Sequence, residues 1–270
     1  MKKIMFLVGV VIAGTSSVMT AEETAAATPV ALKKEAGDFG FAFDVALDFF
    51  SAYVWRGCVY NDRPVFQPGV TATYSTEDYG SFGAGLWSNF DLTERNRQVV
   101  AAGLNEIDYS LFYTIDIESF TLEVGHLWYT FPKANGSDYY SSTKEVYASL
   151  AYNNDIVTPF VSLTYDYNLY DGFYGNVGLN KEFAMSDRFT LGTEVSLGAG
   201  DNDYMRYLGT DDAGLMDFNA SVFASFALTD TVSLGAKLAW MSLIDGDARD
   251  QEPYRKEDIL WGGVSINVSL

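Results

Sequence analysis

Cysteine, histidine and basic residues are all scarce in this sequence, and each shortage excludes something. Cys58 is the sole cysteine, so no intramolecular disulfide framework exists. It reads as an incidental thiol in a loop. His126 is the sole histidine, which leaves one candidate for histidine-based acid–base work. Asp and Glu number 36 against 17 Lys and Arg, a formal net charge of −19. A nucleic-acid partner is excluded, because phosphate contacts need a basic surface. No segment of the mature region holds a helical hydrophobic period, and Ile4 to Gly14 is too short an apolar run for a membrane-spanning helix.

What is abundant is aromatic: 18 Tyr, 19 Phe and 5 Trp, an unusual company for so acidic a chain. The N-terminal stretch stands apart from this pattern. Lys2 and Lys3 precede the apolar run, and small residues follow it. This is the pattern of a signal peptide over 1–21, with cleavage as late as 27 also compatible. No cysteine lies near the cleavage region, so a lipid anchor is not expected. Residues 22–37 read as a flexible N-terminal segment, and 38–270 as one domain.

Residues 41–57, FAFDVALDFFSAYVWRG, show how that domain is built. Phe41, Phe43, Val45, Leu47, Phe49, Tyr53 and Trp55 fall on odd positions; Asp44, Asp48 and Arg56 fall on even ones. Alternate side chains of a strand point to opposite faces, so one face is greasy and the other small or charged. Such runs recur about every twenty residues. They predict about twelve strands, near 39–56, 65–76, 80–91, 105–116, 119–131, 143–153, 156–168, 172–183, 188–199, 216–228, 231–243 and 258–270. The connections alternate between tight (TEDYG, DIES, NND, AMSD, LTD) and long and polar, with only the one near Asn168–Asp171 short among the long class. A soluble sandwich has no reason to sort its loops this way. A transmembrane antiparallel up-and-down β-barrel does, with short turns and both termini in the periplasm and long loops outside. In lipid every backbone group needs an internal partner, which a closed barrel supplies. The apolar face therefore meets lipid and the polar face the lumen. Tyr53, Trp55, Trp128 and Trp240 are expected in an outward aromatic girdle.

The stretch DVALDFFSAYVWRGCVYNDRPVFQPGV, with GSFGAGLWSNFDL, NEIDYSLFYT and KEVYASLAY, resembles the TorF-like family of outer-membrane porins of Gram-negative bacteria. Tyr53, Arg56, Gly57, Trp87, Asn89, Glu106 and Asp108 sit on that family's motif positions. The resemblance implies an outer-membrane channel and no particular solute.

Strand direction places Asp91, Glu106, Asp108, Glu145, Asp166 and Asp217 at the mouth on lumen parity, with Arg56 ending the first strand at their level. Asp44, Asp48, Glu123, Glu194 and Lys237 lie deeper. Acids facing a pore draw cations; the same residues also serve to brace the wall through ion pairs. Inward Trp87, Phe112, Tyr129, Tyr147, Phe160 and Phe223 are expected to constrict a lumen of about twelve strands, intermediate between eight-stranded barrels and wide porins. His126 has the lipid-face parity of Leu122, Val124 and Trp128, so a catalytic role is not expected. The acids Asp201, Asp203, Asp211 and Asp212 match no defined calcium loop. The expectation is a monomeric outer-membrane channel, passive and narrow, for cations and small solutes, without cofactor or metal. Lipid and lipopolysaccharide surround it. A barrel that acts through its loops in a structural or adhesive role is the alternative.

Overall fold

The computed structural model describes residues 40–93, 102–132, 142–206, 209–210, 212–250 and 256–270. The expected signal peptide and N-terminal segment lie outside them. The strands are β1 Gly40–Phe50, β2 Tyr53–Trp55, β3 Cys58–Asn61, β4 Val65–Ser75, β5 Ser81–Asp91, β6 Gly103–Ile117, β7 Phe120–Thr130, β8 Ser142–Tyr152, β9 Thr158–Asp166, β10 Gly172–Ser186, β11 Phe189–Gly200, β12 Gly214–Ala227, β13 Val232–Leu243 and β14 Asp258–Ser269. Two short helices, α1 Asn202–Met205 and α2 Gly246–Asp250, lie in long connections. Twelve strands close a barrel in chain order, with β1 paired to both β4 and β14, and β2–β3 standing apart as a separate hairpin.

Side-chain parity follows from the pleat. Phe41, Leu111, Leu163, Val177, Leu238, Leu260 and Val264 are exposed on the outside, while Asp48, Asp108, Glu123, Thr164 and Ser265 are buried within. Outward aromatic pairs mark two belts. At the short-turn end Phe41 meets Tyr74, Phe82 meets Tyr113 and Phe120 meets Tyr152, with centroids 4.9, 4.8 and 5.1 Å apart. At the long-loop end Phe49 meets Phe66, Tyr109 meets Trp128 and Phe218 meets Trp240, at 4.6, 5.6 and 5.6 Å. Two girdles flanking an apolar band are what a membrane-spanning barrel presents. The short turns are set by side chains that replace the missing ladder partners: the Thr76 hydroxyl accepts from Tyr79 N–H, the Asn154 amide oxygen from Ile156 N–H, and the Thr229 hydroxyl from Val232 N–H.

The first strand departs from the expectation. It ends at Phe50, not at 56, and the chain turns into the barrel. Tyr53 and Trp55 are therefore buried in the lumen, not in the outer girdle, whereas Trp128 and Trp240 do lie outside, half-exposed. The turn itself forces this. Trp55 pairs with Cys58, so Arg56-Gly57 is a two-residue hairpin loop. Both residues have positive φ, 44° and 72°. That is the twist of a type I′ turn, which fits a tight hairpin and not the continuation of a strand.

Candidate functional site

The inward aromatics answer how a barrel wall accommodates large rings. Trp87 pairs across the ladder with Gly69, Phe112 with Gly83, Tyr147 with Gly125, Phe160 with Gly178 and Phe223 with Gly192. A Cβ on Gly83 would lie 2.0 Å from the Phe112 ring, and one on Gly192 2.1 Å from Phe223. The rings thus occupy the space of absent side chains and lie against the wall. All six expected constriction residues face inward, but these five lean on a glycine and so narrow the lumen less than rings standing upright would. Tyr129 is different: it pairs with Asp108 and Thr143, and its hydroxyl donates to Glu145 at 2.9 Å.

Among the described residues, the β2–β3 hairpin occupies the long-loop half of the lumen. Trp55 sets its indole 5.7 Å from Tyr129, and Tyr53 lies 5.6 Å from Trp87. Val54 and Val59 pack with Met241 and Ile259. Cys58 is buried with Tyr174, Met216, Leu243 and the α1 residues Tyr204 and Met205. At the tip Gly57 approaches Asp217 and Leu243 so closely that an added Cβ would stand 3.1 Å from each. The hairpin therefore spans from β5 across to β13.

Arg56 is the anchor of this arrangement, 1% exposed. Its Nη1 donates to Glu145 Oε1 at 2.8 Å and its Nη2 to Oε2 at 3.1 Å, a bidentate pair. Nη1 also donates to the Tyr204 hydroxyl at 2.9 Å. The guanidinium lies 4.3 Å from the Trp55 ring centre and 4.7 Å from that of Tyr174. Burial is the largest single influence and lowers its pKa, but the charge and hydrogen bonds of Glu145 together with Tyr204 and Tyr129 outweigh it, and the group is held above its ordinary range. Arg56 is thus not the free mouth cation at the end of a strand that the parity implied. It is a hairpin-tip residue sealed inside.

The six mouth acids come together at the long-loop end of the lumen, all buried. Glu145 holds Arg56. Asp166 pairs across the ladder with Glu145 and accepts from the Thr143 hydroxyl and the N–H groups of Asn168 and Leu169, which fixes the short turn before β10. Asp91 accepts from Asn61 and Asn105, at 2.5 and 2.6 Å, tying the base of the hairpin to β5 and β6. Asp217 accepts from Tyr174 and Asn219. Glu106 accepts a hydrogen bond from Tyr53, and Asp108 is fully buried opposite Tyr129. Much of this cluster therefore seats the hairpin. The deeper charges also face inward. Glu123 accepts from Tyr147 and Thr114, Asp44 from Ser269, and Glu194 from Asn180. Lys237 lies 4.8 Å from the Trp261 ring centre, and its charge acts on Asp48.

His126 is on the outer face, hydrogen-bonded to the Tyr167 hydroxyl at 2.7 Å. Among the described residues no group of three or more His, Cys, Asp or Glu is arranged to hold a metal ion. Asp201 caps α1 through Tyr204 N–H, and Asp203 pairs with Arg206 at the surface; Asp211 lies outside the described residues.

An outer membrane channel from Pseudomonas putida F1 is similar in structure: TM-score 0.56, 11% identity, covering 87% of this chain and 97% of that one. The NanC porin covers 84% of this chain and 98% of its own at 12% identity and TM-score 0.49. An outer membrane phospholipase A from Escherichia coli covers 83% and 92% at 13% identity and TM-score 0.45. At 11% identity the likeness to the Pseudomonas putida channel speaks to fold alone, that of an outer-membrane barrel. No curated protein matches the sequence. A family model described as a bacterial protein of unknown function (Gcw_chp) matches residues 33–242, and the chain belongs to that family.

Proposed function

We propose that this protein is a narrow, passive outer-membrane channel for small solutes and ions, with a preference for cations. The observation that carries the reading is the sorting of faces in a closed barrel. Apolar side chains and two aromatic belts face out, and a charged, hydrogen-bonding surface faces a lumen. Among the described residues the inward carboxylates include Asp44, Asp48, Asp91, Glu106, Asp108, Glu123, Glu145, Asp166, Glu194 and Asp217, which outnumber Arg56 and Lys237. Fixed acids in a low-dielectric wall concentrate cations and repel anions. The TorF-like resemblance of the first half agrees with this. Short turns and termini would face the periplasm, the long loops the exterior, and the barrel would act as a monomer. No catalysis is proposed, since the lone histidine faces lipid.

One observation favours a second reading. The seated hairpin takes up the long-loop half of the lumen, as it would in a barrel that does not transport. Refolded protein in a planar bilayer separates the two. Discrete conductance steps support the channel. A barrel that inserts, shows different gel mobility before and after boiling, and passes no current would establish the non-transporting alternative.

A further inference from the structure

On the outer wall at the long-loop end, four outward side chains form one row across β6 to β9: Tyr109, Trp128, Lys144 and Tyr167. The ladder pairs Tyr109 with Trp128 and Trp128 with Lys144. The Tyr167 N–H donates to the Lys144 carbonyl at 3.2 Å, which carries the register one residue past β9. Three members of the row are aromatic, as a girdle requires. The fourth is a cation on a face that otherwise meets lipid. Its ammonium lies 5.3 Å from the Trp128 ring centre, and among the described residues no carboxylate pairs with it.

One row nearer the middle of the wall, His126 pairs across the ladder with Val146. Its Nε2 and the Tyr167 hydroxyl share a hydrogen bond of 2.7 Å, and the Lys144 charge acts on the imidazole. Whichever partner donates, the pair keeps one donor: the imidazole Nδ1–H if the phenol donates, the phenol O–H if the imidazole does. Below this the wall is apolar. Val124, Ala148 and Leu163 form the next row, and Leu150 beside Val161 the one after. A second outward lysine, Lys181, lies at the short-turn end, but it donates to the Asp155 carbonyl and is satisfied within the chain.

An ammonium and a neutral donor at girdle level suit an oxyanion. A free anion has no use for the apolar rows that lead down from them, whereas acyl chains do. We infer that Lys144, with the His126–Tyr167 pair, binds the phosphate of an outer-leaflet lipid whose acyl chains lie over β7 to β9. Basic positions at a membrane surface hold anionic headgroups in this way. The site rests on the outer-membrane reading and its orientation, but not on conduction.

The test uses the refolded full chain in detergent and native mass spectrometry. The probes are lipid A carrying its phosphates, the same lipid after their removal, and inorganic phosphate. One phosphorylated lipid per barrel should be retained, about fivefold more tightly than the dephosphorylated form; inorganic phosphate should not be retained at the same concentration. Lys144→Gln should abolish that difference, Lys144→Arg should keep it, and Lys181→Gln should leave it within about twofold. Equal retention of the two lipids by the unmodified protein, or no change on Lys144→Gln, overturns the site. So does an equal loss on Lys181→Gln, which would mean that any surface lysine serves. Retention of inorganic phosphate as strong as that of the lipid would overturn the lipid assignment. A barrel that conducts without preferring the phosphorylated lipid would lose the site and keep the channel; preference without current would do the reverse.

Discussion

Replacing Arg56 by Asn isolates what seats the hairpin. Asn is well tolerated at positive φ, and Asn-Gly is the favoured pair for a type I′ turn. The substitution therefore keeps the backbone of the tip, with its φ of 44° and 72°, and removes the guanidinium with its charge, its bond to Tyr204 and its contacts with the Trp55 and Tyr174 rings. Glu145 would lose both guanidinium bonds, at 2.8 and 3.1 Å, and keep the Tyr129 hydroxyl. Removing one partner of a buried ion pair costs about 3–5 kcal/mol. If that cost falls on the seated state alone, the ratio of unseated to seated hairpin rises by about two to three and a half orders of magnitude. Cys58, the sole cysteine and 4% exposed, reports it directly. A membrane-impermeant thiol reagent added from the long-loop side should label Cys58 slowly in the unmodified protein. Labelling of the Arg56→Asn variant should be faster by up to that ratio, and channel conductance should increase in parallel. The double change Arg56→Met with Glu145→Leu removes both charges and should return labelling towards the slow rate. Equal labelling rates in the unmodified and Arg56→Asn proteins, with the barrel intact, would refute the claim that this ion pair holds the hairpin in place.

Three further outcomes are expected. Changing Glu106→Gln, Asp108→Asn and Asp166→Asn together should lower the cation preference in reversal-potential measurements while the barrel still assembles; an unchanged preference would mean that these acids only brace the hairpin and its turn. Gly83→Ala forces a methyl to within 2.0 Å of the Phe112 ring, so it should destabilise the barrel by about 1–3 kcal/mol in urea titrations of folding, and Phe112→Leu in the same chain should recover part of the loss. His126→Ala should leave conductance unaltered, because the imidazole bonds Tyr167 on the outer face; loss of a hydrolytic activity on this change would overturn the assignment as a channel.

The strands and their faces were legible because the period of two is strong in both directions: Tyr109, Leu111 and Tyr113 against Asp108, Ser110 and Phe112 leave one solution once the apolar side must meet lipid. Loop sorting added the closure. The hairpin was not legible from parity. Tyr53 and Trp55 continue the odd register of Phe41 to Phe49, so the alternation runs on through Ser51 and Ala52, where the chain leaves the wall. The signal was local: YVW and CVY flanking Arg56-Gly57 form a compact hairpin pattern, muted because arginine is rarely placed at positive φ. The lumenal acids were placed on the correct face, but what they bind depends on a segment that folds back among them. Parity also cannot tell an upright ring from one lying over a glycine; that needs the cross-strand register of Phe112 with Gly83 and of Phe223 with Gly192.

The most direct test of the central claim is single-channel recording of the refolded protein with different salt concentrations on the two sides of the bilayer. The excess of inward acids over bases among the described residues predicts discrete conductance steps and a reversal potential of the sign set by cation flow, fading at high salt as the Debye length falls to about 3 Å at 1 M. A bilayer that contains inserted barrels yet carries no current, or a reversal potential of the opposite sign, would contradict the account.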